Sequence, residues 1–100
     1  MPRLILLPAA QKDFDNLDGS LMGSVSAGLL KLQKEPLKLS EPLSGNLSQY
    51  RKIAVGKKSI RIIFRYFENQ DLVIISTIGW RRNGEVYRIA AARLGDDSQS

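Results

Sequence analysis

Apolar and polar residues alternate through residues 50–66, YRKIAVGKKSIRIIFRY, with the period of a half-buried β-strand. Ile53 and Val55 alternate with Lys52 and Ala54, and Ile60, Ile62, Phe64 and Tyr66 alternate with Arg61, Ile63 and Arg65. Gly56-Lys57-Lys58-Ser59 interrupts the run, which predicts strands over 50–55 and 59–67 joined by a basic turn. Upstream, 3–7 predicts a first strand, ended by Pro8. Residues 9–17 predict a short helix with Ala10, Phe14 and Leu17 on one face. Ser20 is the expected N-cap of a second helix over 21–34, where Leu21, Val25, Leu29 and Leu32 recur at helical spacing. Gly23 and Gly28 lower helix propensity there and are expected to allow close packing on the first helix.

Residues 35–49, with Pro36, Pro42 and Gly45, predict a loop pinned to the core by Leu37, Leu39, Leu43 and Leu47. A polar turn over 68–71 leads into LVIISTI, 72–78, expected to be the most buried strand, covered on both faces. Gly79 is expected to end it, with 80–84 a loop. Residues 85–94 predict a closing helix on Val86, Ile89, Ala90 and Leu94, with Gly95 as its stop and a polar tail over 96–100. The order is strand, helix, helix, three strands on short turns, helix. Segregation of this kind predicts an α+β domain: a small antiparallel sheet with the helical hairpin on one face and a short C-terminal helix. The other face is then closed by the last helix, or left open and basic.

One hundred residues make a single domain, 1–100, with a modest core. The net charge of +5 favours an anionic partner. Without cysteine there is no disulfide or thiolate metal site, and without histidine the commonest general base and metal ligand are missing. The apolar run in MPRLILLPAA is shorter than a signal-peptide core, so it is expected to be a strand in a cytoplasmic protein with no membrane partner.

The positive charge is concentrated. Arg51, Lys52, Lys57, Lys58, Arg61 and Arg65 lie in the hairpin with no acidic residue before Glu68, and Arg81 and Arg82 follow the last strand. Lysines also protect exposed sheet edges, so a solvated edge is the plain alternative to an anion-binding face. Lys52, Arg61, Arg81 and Tyr87 are candidates to converge, since their strands pair and the last helix follows directly. Arginine forks suit phosphate, and Trp80 or Tyr87 can stack on a base. The plain alternatives are sheet-face charge for Arg61 and Arg65, a core role for Tyr87 and a plug over the sheet end for Trp80.

RNA cleavage without histidine or metal would ask three things of such a set. The 2′-hydroxyl must lose a proton and attack phosphorus in line, the phosphorane charge must be stabilised, and the departing 5′-oxygen must gain a proton. Arginines do the second. A lysine crowded by cations has its pKa lowered, so a neutral fraction acts as base. No carboxylate cluster stands near these cations in sequence, so neither metal nor cofactor is expected. From the residues alone, cleavage and plain binding remain alternatives.

YRKI with GKKSIRIIFRY, then VIISTIGWRRNGEVY and IAAARL, resembles the RelE/ParE superfamily of toxin–antitoxin toxins, as does the lead-in PLSGNLSQYRKI. The N-terminal helical hairpin fits by element order. RelE-like members are ribosome-dependent endoribonucleases that cut mRNA in the decoding site. The resemblance implies Lys52 as base, Arg61 on the phosphate, Arg81 at the developing charge and Tyr87 orienting or stacking on RNA. Around them Arg51, Lys57, Lys58, Arg65, Trp80 and Arg82 are expected to contact RNA or ribosome. The family often carries a second lysine two residues after the first, where this chain has Ala54, so Lys57 or Lys58 is the candidate replacement. The resemblance also implies an acidic, RelB-like antitoxin, which in some members moves the last helix. ParE-like members inhibit DNA gyrase and typically lack the arginine and tyrosine set. A gyrase inhibitor and an inactive basic nucleic-acid-binding module are the rival readings.

Overall fold

The computed structural model describes residues 1–94. Gly95 and the tail over 96–100 lie outside the described residues. Strand β1 is Arg3–Leu6, followed by helices α1, Pro8–Asp15, and α2, Gly19–Lys34. A two-residue strand β2, Glu41–Pro42, precedes β3, Arg51–Val55, β4, Ile60–Phe67, and β5, Leu72–Trp80; helix α3, Glu85–Ala92, closes the fold. The five strands lie in the order β1-β5-β4-β3-β2. β3, β4 and β5 form the expected antiparallel meander, and β1 joins β5 in parallel, Arg3 opposite Leu72.

Alternation sends each strand's residues to two faces. On one lie Ile53, Ile60, Ile62, Phe64, Val73, Ile75 and Ile78, packed under Ala10, Val25 and Leu32 of α1 and α2. On the other, Ile63 packs with Val86 and Ala90 of α3 and with Leu47 and Tyr50. LVIISTI lies inside the sheet, with all but Ile74 buried. A bulge between Ile63 and Phe64 shifts the β4–β5 register without exposing either residue.

Several local readings are corrected. The N-cap of α2 is Asp18, whose carboxylate accepts from the Leu21 N–H at 3.0 Å, and Gly19 is the first helical residue. Ser20 instead donates its hydroxyl to Asp18 at 3.1 Å. These bonds, the Leu21 one foremost, hold the Asp18 carboxyl below its ordinary pKa. Gly28 meets the sheet rather than α1: a Cβ there would come within 2.6 Å of a Val55 methyl, closer than any real contact. Gly23 has no neighbour within 4 Å of such a Cβ. The predicted loop over 35–49 holds β2, which pairs with Arg51 and Lys52, and a 3-10 turn at Gly45–Leu47. Leu47 is buried and Leu43 packs beside it, but Leu37 and Leu39 are exposed. Finally, β5 runs through Gly79 to Trp80, because Gly79 pairs with Arg61 and Trp80 with Ile60.

Candidate functional site

Register decides which cations meet. Lys52 lies opposite Ile63, and Ala54 and Gly79 lie on either side of Arg61, all on the α3 face. α3 covers only part of that face. Its Tyr87 reaches Lys52, whose Nζ sits 5.5 Å from the ring centroid, within cation–π range. Beside them Lys52, Lys58, Arg61, Glu41 and Leu39 line a cavity of about 240 Å³. That is below the roughly 300–1,000 Å³ of pockets that enclose a drug-sized ligand.

The turn at the end of this hairpin is built against local preference. Lys57 and Lys58 both have positive φ, 56° and 67°, and Ser59 donates its N–H to Gly56 O at 3.2 Å, as in a type I′ turn. Left-handed backbone costs a residue with a Cβ about 1–2 kcal/mol. The conformation aims the Lys58 carbonyl at Arg61, whose Nη1 donates to it at 2.7 Å. Arg61 thus ties the turn to the sheet face, and Lys58, not Lys57, lines the cavity with it. Arg81 joins the same end through its backbone N–H, which donates to Ser59 O at 2.9 Å; its side chain is exposed.

The other expected contacts are distributed differently. Arg51 donates to Ser40 Oγ at 2.7 Å and to Ser40 O at 2.9 Å, which fixes the segment before β2. Arg65 stacks between Phe67, at 4.6 Å, and Tyr50, at 5.7 Å. Trp80 packs on the α1–α2 side of the sheet, away from Lys52 and Tyr87, with Arg82 4.7 Å over its ring. Lys57 is exposed. The structure therefore brings together Lys52, Tyr87, Arg61 and Lys58, sets Arg81 at the adjoining end, and leaves Trp80 on the opposite face.

Sequence reasoning missed Glu41, which β2 carries to the strand position opposite Lys52. It is the acidic residue in the cavity lining. No trio of histidine, cysteine, aspartate or glutamate suited to a metal occurs among the described residues. No helix among them is long and apolar enough to cross a membrane.

No protein-family model and no curated protein matches this chain by sequence. Solved structures do match by shape. The isolated RelE toxin of Escherichia coli superposes with a TM-score of 0.71 at 19% identity, over 94% of this chain and 99% of that one. A chain of the RelBE2 toxin–antitoxin complex of Mycobacterium tuberculosis gives 0.72 at 19% identity, over 82% and 93%. A YoeB/ParE toxin of Agrobacterium tumefaciens gives 0.67 at 14% identity, over 79% and 98%. A helical hairpin on one face of an antiparallel meander, a parallel N-terminal strand and a short last helix on the other face complete the match: this chain has the RelE-like fold of the RelE/ParE superfamily toxins.

Proposed function

We propose that this chain is the toxin of a toxin–antitoxin pair and cuts messenger RNA on the ribosome. The observation that carries the reading is the place of Lys52, which meets the Tyr87 ring and also lines a cavity with Arg61 and Lys58. Three chemical tasks are divided among these groups and Arg81. Lys52 takes the proton of the ribose 2′-hydroxyl. The 2′-oxygen bonds to phosphorus as the bond to the 5′-oxygen breaks. Arg61 and Arg81 stabilise charge on the phosphorane, and Lys58 supplies the further cation that Ala54 cannot. Tyr87 holds the nucleotide for in-line attack, and the departing 5′-oxygen takes a proton from Tyr87 or from water. The products are a 2′,3′-cyclic phosphate, or its opened form, and a 5′-hydroxyl.

The same cations make this face the natural dock for an acidic antitoxin. Solved relatives of this fold have been captured in RelBE toxin–antitoxin complexes, which supports a partner of that kind.

Induced expression followed by mapping of RNA ends tests the reading. The expected result is growth arrest with new 5′-hydroxyl ends in translated messages. Arg81→Ala is expected to fold, bind antitoxin and lose toxicity. If it stays fully toxic with the same cleavage pattern, the nuclease reading is wrong, and DNA supercoiling becomes the assay that separates a gyrase inhibitor from a passive binder. Glu41 sharpens the proton transfer: a larger loss in Glu41→Gln than in Lys52→Ala would make the carboxylate the base.

A further inference from the structure

Strand β1 stops short of the far half of β5: its last backbone bond runs from Leu7 N–H to Ile75 O, at 3.0 Å. Past that point the edge of β5 is covered by side chains from the two ends of the protein. Asp13, in α1, accepts from the Ile78 N–H with Oδ2 at 3.0 Å. Arg93, at the C-cap of α3, meets the same carboxylate with both fork nitrogens, Nη1 to Oδ2 at 2.7 Å and Nη2 to Oδ1 at 3.0 Å, across 80 residues of chain. Nη1 also donates to Ser76 O at 3.1 Å. The two side chains are only 18% and 20% exposed, so water screens the pair less than a surface bridge.

The opposite end of α3 is held differently. Its N-cap is Gly84, in left-handed backbone, with no side-chain cap. Arg88 turns back to the carbonyl of Asn83, a bond confined to the helix and the turn before it. An eight-residue helix has little stability of its own. Val86 and Ala90 seat it on the sheet by apolar contact, which is non-directional. Among the described residues, the Asp13–Arg93 fork is thus a directional tie of α3 to α1 and, through the Asp13 bond to Ile78, to β5.

We propose that Asp13 and Arg93 are positioning residues: their clasp fixes the rotation and register of α3 on the sheet and so holds the Tyr87 ring against Lys52. The inference rests on the functional reading above only for the task it gives Tyr87. The placement itself is independent of RNA.

The test uses the full chain and three variants. Asp13→Asn keeps shape and an acceptor for Ile78 but removes the charge. Arg93→Lys keeps the charge but removes the fork, and Arg93→Ala removes both. The surface bridge between Lys38 and Glu35 provides the control Lys38→Ala. The first readout is the ring-current shift that Tyr87 imposes on the Lys52 ε-methylene protons by NMR, with Tyr87→Ala defining its loss. The second is amide hydrogen exchange, resolved by segment. In Asp13→Asn and Arg93→Ala the ring-current shift is expected to collapse toward the Tyr87→Ala value. Exchange over 85–92 is expected to rise on the order of ten- to a hundred-fold, the scale of one lost charge-assisted hydrogen bond. Exchange over 60–67 should stay within about two-fold, Arg93→Lys should fall between, and Lys38→Ala should match the parent. An unchanged ring-current shift in both Asp13→Asn and Arg93→Ala overturns the proposal. So does a rise in exchange spread evenly over the sheet, or unfolding of Asp13→Asn or Arg93→Lys, since either makes the pair a general stabiliser. A parent chain that cuts no RNA would remove the nuclease reading and leave this result standing.

Discussion

The two faces of the sheet share the same strands and are put to opposite uses. Along β4, Ile60, Ile62 and Phe64 point to α1 and α2, and all are fully buried. Arg61 and Ile63, one step along, point the other way, where α3 covers Ile63 but leaves Arg61 beside an open cavity. The first face has two helices over it and an apolar centre, with Arg51 and the Tyr66 hydroxyl at its margins. The second has one short helix and cations where its cover ends. The difference teaches that stability and candidate chemistry are separated by strand parity: neighbouring residues in sequence should give different phenotypes.

The largest expected effect lies on the closed face. Phe64→Ala should cost about 3–5 kcal/mol of stability, measured by urea denaturation. A loss below about 1 kcal/mol would mean that the helical hairpin is not the main source of stability. Next comes the open face. Arg81→Ala should lower the cleavage rate about 10²–10³-fold, while stability stays within about 0.5 kcal/mol of the parent. Tyr87→Phe divides the roles there. Near-full activity means that the ring stacks, and a large loss means that the hydroxyl takes part.

The turn refines the comparison. Lys57→Gly and Lys58→Gly should each relieve left-handed backbone and raise stability by about 0.5–1 kcal/mol. Only Lys58→Gly should also slow cleavage, roughly ten-fold, because only Lys58 lines the cavity. Equal activities for the two variants would remove Lys58 from the site.

The smallest effect concerns the cap of α2. The folded protein holds Asp18 below its ordinary value of 3.8. Its contribution is therefore present above the unfolded pKa and lost as pH falls through the folded one. Asp18→Ala should lower the Tm slightly at pH 7, and the gap should close under strong acid. A constant gap at every pH would assign the effect to the helix backbone instead of the carboxylate.

The sheet was legible because period-two alternation with β-branched residues is strong in β4 and continuous in β5. Alternation also set Lys52 and Arg61 against the apolar residues of their paired strands, and the register of β3 on β4 puts the two on one face. Trp80 shows a misused signal. Gly79 looks like a stop, yet a glycine can pair in a strand, and counting on from Ile78 puts Trp80 on the same side as Ile78. β2 left no signal to misuse. It has two residues, both exposed, and one is a proline that lacks an N–H. Asp18 and Ser20 are equally good caps by composition, and only the bond to Leu21 separates them. The tie from Arg61 to Lys58 O needs a left-handed lysine, which no propensity favours. The Asp13–Arg93 clasp joins residues 80 apart, a distance over which local pattern carries no information.

The parallel pairing of β1 with β5 has a consequence in time. β1 is synthesised well before β5, and Arg3 and its neighbours find their partners only after Leu72–Ile75 exists. Loop closure over so long an interval is slow, whereas β3, β4 and β5 meet through short local turns. During synthesis α1 and α2 have no complete sheet to cover, and Val25 and Leu32 stay without their burial partners. The basic hairpin closes early and the N-terminal third docks late. In the nascent chain the basic hairpin thus precedes the docked core, whereas Arg81 and Tyr87 complete the candidate RNA face only after β5 is made, and the unfinished protein is exposed to aggregation and proteolysis on its helical side first.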